Sequence, residues 1–198
     1  MTPLKVRTKT LAAAVWPAAS DAGFRAMRAV LLALVGSALV AISAQIQVPM
    51  YPVPMTMQPF AVIVIGAAFG ARLGAATLLL YMAEGALGLP VFAGLKGGAA
   101  VLMGPTAGYI VGFVLAAGAV GWLAERGWDR NVFATVAAMT IGMALIYLPG
   151  VAWLASLIGA DKAIAAGMLP FLVGDAVKIA LAALVLPGAW WLIGRSRI

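Results

Sequence analysis

Asp175 and Lys178 stand three residues apart in FLVGDAVKIALAALVLPG, residues 171–188, a stretch otherwise almost without polar side chains. On a helix this spacing puts the acid and the base on one face. A carboxylate only accepts hydrogen bonds and an ammonium only donates them, so the pair can grip a small molecule that carries both kinds of group. It can equally lock the helix as a mutual ion pair with no ligand. In a lipid-embedded helix each charge costs about 2.5–3.5 kcal/mol at the bilayer centre. Such residues normally face the bundle interior, pair, and mark a substrate path.

Other chemistries are narrow. The chain has no cysteine and no histidine, which removes thiolate and imidazole metal ligands and the commonest general base. No metal site is expected. An embedded enzyme would have only Asp175 with Glu84 as an acid pair. No GxxxxGK pattern cradles a phosphate, so ATP can enter only through partner subunits, and no cofactor is expected.

The elements that position the pair follow from composition. Of 198 residues, 65% are hydrophobic and 10% charged, against about 25% charged in a soluble domain. Spans of about 20 apolar residues are expected at 28–46, 105–124, 132–157 and 168–193. The run from Pro59 to Leu89 is too long for one helix and contains Arg72; a turn between Gly70 and Gly74 divides it into 59–70 and 73–89. The reading is an all-α membrane protein of six helices in one domain, 28–193, with a cytoplasmic or interfacial N-terminal segment, 1–27, and a cytoplasmic tail, 194–198.

Charge orients it. With both termini cytoplasmic, the inner segments hold Lys5, Arg7, Lys9, Arg25, Arg28, Arg72, Arg126, Arg130, Arg195 and Arg197, and the outer loops hold only Lys96 and Lys162. This is the positive-inside bias; it accounts for the net charge of +7 without a nucleic-acid partner. The last helix then runs inward, with Asp175 about 10 Å below its outer end near Met168 and Lys178 one turn deeper.

Two outer loops are candidate lids. QIQVPMYPVPMTMQP holds four prolines between Pro49 and Pro59, which forbid a regular helix, yet it is apolar. The short helix after it spans only about 18 Å, so the proline segment dips into the membrane. Non-helical backbone at that depth is covered by protein or lines a cavity. The second loop, GLPVFAGLKGGAAVLMGPTAGY, carries glycines that permit close approach to a ligand. Both loops can also be irregular connectors resting on the bundle. Small residues recur every four positions at Ala29, Ala33, Ser37 and Ala41, and at Gly104, Gly108, Gly112 and Ala116, which lets helices approach closely. The second stripe is read as internal packing, the first as either packing or docking on another membrane protein.

VPMTMQPFAVIVIGAAFGARLGA, YMAEGALGLPVFAG, GPTAGYIVGF and GDAVK occur in the order seen in BioY proteins. The sequence thus resembles, from about Ala29 to Pro187, the substrate-binding S components of energy-coupling factor (ECF) biotin transporters. The resemblance implies a six-helix protein of the bacterial cytoplasmic (inner) membrane that binds biotin from outside. It implies a transmembrane T component and two ATPases as partners, docked on a stripe that Ala29 and Ala33 match. It places biotin under the first and third loops, with the DxxK pair, here Asp175 and Lys178, contributing. Lys96 falls where other members often have small or polar residues and receives no family role; Glu84 replaces a residue that is commonly apolar or small.

Biotin suits the pair: its ureido ring offers two N–H donors and a carbonyl, and its tail ends in a carboxylate. Asp175 can accept from a ureido N–H, and Lys178 can donate to the carbonyl or the carboxylate, or simply hold Asp175 ionised. One helical turn is too short for the two to grip opposite ends of extended biotin. By position, Gln58 and Tyr109 are candidate polar contacts. Tyr51, Phe60, Tyr81 and Phe92 are candidate apolar walls, and Gly97 and Gly98 candidate backbone contacts. The alternatives are an S component for another vitamin and a stand-alone carrier using Asp175 as a proton relay. A homo-oligomer is compatible with this reading.

Overall fold

The computed structural model describes residues 9–17 and 20–195; Lys5, Arg7 and Arg197 of the charge pattern lie outside them. A short helix α1 (Leu11–Val15) precedes α2 (Ala22–Gln45). The proline segment follows, then α3 (Gln58–Phe69) and α4 (Ala71–Ala86). The glycine-bearing loop leads into α5 (Ala107–Ala124) and α6 (Val132–Ile158). The chain closes with α7 (Ala160–Gly167) and α8 (Leu172–Arg195). Among the described residues, α2, α5, α6 and the stretch from Ala160 to Gly194 are long and apolar enough to cross a membrane. This is the build of a multi-pass membrane protein, with α3 and α4 as shorter helices.

Four boundaries differ from expectation. The first long helix begins at Ala22 and not at residue 28, because the Asp21 carboxylate caps it, accepting from Phe24 N–H at 2.7 Å. The division after α3 falls on Gly70 alone, whose φ of 86° suits glycine, and α4 ends at Ala86, short of 89. The last span is interrupted: α7 ends, a 3-10 turn carries Leu169–Phe171, and α8 starts at Leu172. Proline at residue 170 cannot donate into a continuous helix. Asp175 therefore sits in the first turn of α8, about 5 Å along that helix.

Glycine contacts hold the bundle together. A Cβ on Gly66 would lie 2.6 Å from the Ala117 carbonyl oxygen, and one on Gly121 would lie 2.5 Å from Ala71 N. The α3–α4 corner thus seats directly on α5. The Gly104–Ala116 stripe packs internally, as expected: Gly112 would meet the Ile146 Cα at 2.7 Å, and Gly108 abuts the Pro149 backbone of α6. Only small side chains permit such backbone proximity.

The arginine-rich end is tied by polar contacts. Arg72 is exposed at the α4 N-terminus, and the Glu125 carboxylate caps that helix by accepting from Ala71 N–H at 2.9 Å. The α5–α6 connection is stapled to α8 by the Trp190 indole, which donates to Asp129 Oδ2 at 2.6 Å. Burial raises the Asp129 carboxyl above its usual range, opposed by the Trp190 hydrogen bond and by Arg130. Arg28 holds α1 against α2 by donating to the Trp16 and Ala12 carbonyls, each at 2.8 Å.

Candidate functional site: a lidded cavity with a buried ion pair

At the loop end of the bundle, α5, α6 and α8 surround a cavity of about 360 Å3, within the range of about 300–1,000 Å3 that small-molecule sites occupy. Its floor carries the Asp175–Lys178 pair. Lys178 Nζ donates to Asp175 Oδ1 at 2.7 Å, and both side chains are 6% exposed. The Tyr147 hydroxyl donates to the other carboxylate oxygen, Asp175 Oδ2. Asp175 thus has a partner on each oxygen, while Lys178 has one hydrogen bond and two further N–H groups to offer. Tyr109 stands edge-on to Tyr147, with ring centroids 6.4 Å apart, and donates to the Gly167 carbonyl at 2.7 Å. That contact is possible because Gly167 and Gly150 have no side chain where the Tyr109 ring and hydroxyl lie.

Residues of both loops line the cavity. Residues Gln47–Val48 pair antiparallel with Met55–Thr56, so the proline segment folds back as a short hairpin, β1 and β2. Pro52 to Thr56 line the cavity, and Val53 is buried. Phe92 from the second loop lines it too, packed edge-on against Tyr81 with centroids 5.5 Å apart. Phe92 fits because Gly85 leaves its ring room on α4.

A chain of hydrogen bonds fixes one loop to the other. Gln58 Nε2 donates to the Tyr81 hydroxyl at 2.8 Å, and that hydroxyl donates to the Val91 carbonyl at 3.0 Å. Gln58 Oε1 accepts from the Thr56 hydroxyl at 3.3 Å. At the end of α2, Gln45 clasps the second loop with both ends of its amide. Its Nε2 donates to the Phe92 carbonyl at 3.0 Å, and its Oε1 accepts from Leu95 N–H at 3.1 Å.

The structure thus brings Asp175, Lys178, Gln58, Tyr109 and Phe92 together on one cavity wall. Tyr81 is fully buried one layer behind, supporting Gln58 and Phe92. Tyr51 is not on the wall: it is 94% exposed, because the hairpin turns its neighbours Pro52 and Val53 inward in its place. Gly97 and Gly98 shape the loop and do not line the cavity: Gly97 lies against the Gly88 and Leu89 backbone, and Gly98 N–H donates to the Gly85 carbonyl at 2.7 Å. Tyr147 and Gln45 carry no motif in the sequence; a tyrosine or glutamine in an apolar helix is itself a sign that a buried partner exists. Glu84 is accounted for by the Ser37 hydroxyl, which donates to it and joins α2 to α4. Ser37 belongs to the α2 small-residue stripe; Ala29 and Ala33 are half-buried, beside the exposed Val30 and Leu34.

The family model described as "BioY family" matches residues 10–195. The chain belongs to the BioY family. Curated BioY relatives agree along most of their length. A "Probable biotin transporter BioY" of Pyrococcus horikoshii is 43% identical over 148 residues, 75% of this chain and 87% of that protein. A "Biotin transporter BioY" of Thermotoga maritima is 40% identical over 161 residues, 80% of this chain and 94% of that one. A crystal structure of "the S-component for biotin from an ECF-type ABC transporter" superimposes with a TM-score of 0.73 at 22% identity, covering 85% of this chain and 93% of that chain. At that identity the likeness is one of fold.

The Gln45 clasp on the second loop is open to direct test. In Gln45→Ala, amide hydrogen exchange should accelerate at residues 92–98 and stay unchanged in α5. Unaltered exchange in the loop would show that the clasp does not hold it.

Proposed function

We propose that this protein is the biotin-binding S component of an ECF transporter, and that biotin lies in the lidded cavity above Asp175 and Lys178. The observation that carries the reading is a buried acid–base pair on a cavity wall, its carboxylate hydrogen-bonded on both oxygens and its ammonium with N–H groups to spare, in a chain of the BioY family. Relatives named biotin transporters support it. Six spans with both termini cytoplasmic in the inner membrane accord with the basic residues at the Arg72, Arg126 and Arg130 end. The protein catalyses no reaction; it holds its ligand beneath two loops and relies on a transmembrane T component and two ATPases for uptake. Ala29 and Ala33, beside the exposed apolar ridge of α2, are the docking positions.

Two measurements test this. Titration calorimetry of the purified protein should give a biotin dissociation constant below about 1 μM, about −8 kcal/mol, with Asp175→Asn or Lys178→Met weakening it strongly. Competition by an unrelated vitamin at equal affinity would move the ligand assignment. In cells, Ala33→Trp should spare biotin binding and block uptake with the coupling subunits present; loss of binding would instead make the α2 stripe internal packing. Full uptake without any coupling ATPase would favour a stand-alone carrier.

A further inference from the structure

The charge balance of the cavity leaves one cation over. Among the described residues that line it, the charged side chains are Lys96, Asp175 and Lys178. Asp175 and Lys178 neutralise each other at 2.7 Å, so the floor has both a donor and an acceptor but no net charge. Lys96, on the lid, lines the same cavity and makes no salt bridge among the described residues. The cavity as a whole therefore carries a single uncompensated positive charge, at its lid.

The backbone of Lys96 is fixed although its side chain is exposed. Gly94 and Leu95 have φ of 72° and 56°, two consecutive residues in the left-handed region. Leucine adopts it only when its surroundings hold it there. The holding contacts are Phe92 N–H to the Lys96 carbonyl at 2.9 Å and the Gln45 clasp on Phe92 and Leu95. A turn braced from both sides thus sets Lys96 over the cavity, with the buried Phe92 ring as its anchor.

Resting on the biotin reading above, we infer that Lys96 recognises the ligand's carboxylate at the lid, while the uncharged ureido end lies on the Asp175–Lys178 floor. A ureido group needs acceptors for its N–H groups and a donor for its carbonyl, which a zwitterionic pair supplies without a charge mismatch. A carboxylate placed on the floor would meet Asp175 beside Lys178 and leave the lid cation unpaired. One turn of helix cannot serve both ends of the molecule; a floor and a lid can. Lys96 is then the residue that selects a monoanion over its neutral analogue.

The test is a ligand–protein cycle on the full chain in detergent or nanodiscs, with biotin and the neutral primary amide of biotin as probes. Wild type should prefer biotin by about 10- to 100-fold, the worth of one charge-assisted hydrogen bond. Lys96→Met should erase that preference by weakening biotin while leaving the amide within about twofold, and Lys96→Arg should restore it. A preference that persists in Lys96→Met overturns the inference, as does one abolished by Lys178→Met alone, which would put the carboxylate on the floor. If wild type binds neither probe, the biotin reading itself fails, and this inference with it.

Discussion

The loop end of this bundle is arranged around a carboxylate and an ammonium that are almost wholly removed from the protein surface, each side chain 6% exposed. Removing either partner from such a pair costs about 3–5 kcal/mol, because the other is left as a buried, uncompensated charge. The pair persists here because each Asp175 oxygen has a donor, Lys178 on one side and Tyr147 on the other. Its position in the first turn of α8 adds the favourable end of the helix dipole. Lys178 keeps N–H groups to spare, and on the proposed reading that unused capacity lets the pair serve a ligand as well as lock the helix.

Enclosing the floor requires helices that come close in some places and stand apart in others. The glycines of α3, α4 and α5 bring backbones into contact at the arginine-rich end. At the opposite end, Phe113, Tyr109 and Tyr147 hold the walls apart around a cavity. The loops close it because their own polar groups are satisfied internally. Gln58, Tyr81 and Gln45 consume hydrogen-bonding groups that would otherwise be stranded in an apolar setting. The lid is therefore ordered by the same contacts that join it to α2 and α4.

Much of this was legible from residue types alone. Arg72 could not sit inside a span, so the turn at Gly70 followed; the acid–base spacing on a greasy helix pointed to the floor; the prolines pointed to an irregular lid. What escaped had physical reasons. Side-chain direction within the proline segment has no periodicity to read, so Tyr51 and Val53 could not be told apart as outward and inward. The start of the last helix depended on a break at Pro170 that hydropathy does not register. Tyr147 lies in an apolar helix without a motif, and its role appears only once α6 and α8 are packed together. Lys96 needed the fold to show that it shares a cavity with the floor.

The central claim is that Asp175 and Lys178 act on the ligand as one unit, and a double-mutant cycle on biotin affinity tests it most directly. With Asp175→Asn, Lys178→Met and the double variant, the account predicts strong coupling: the double variant binds no worse than the weaker single one. Additive losses would contradict it, showing two independent contacts and not a shared floor.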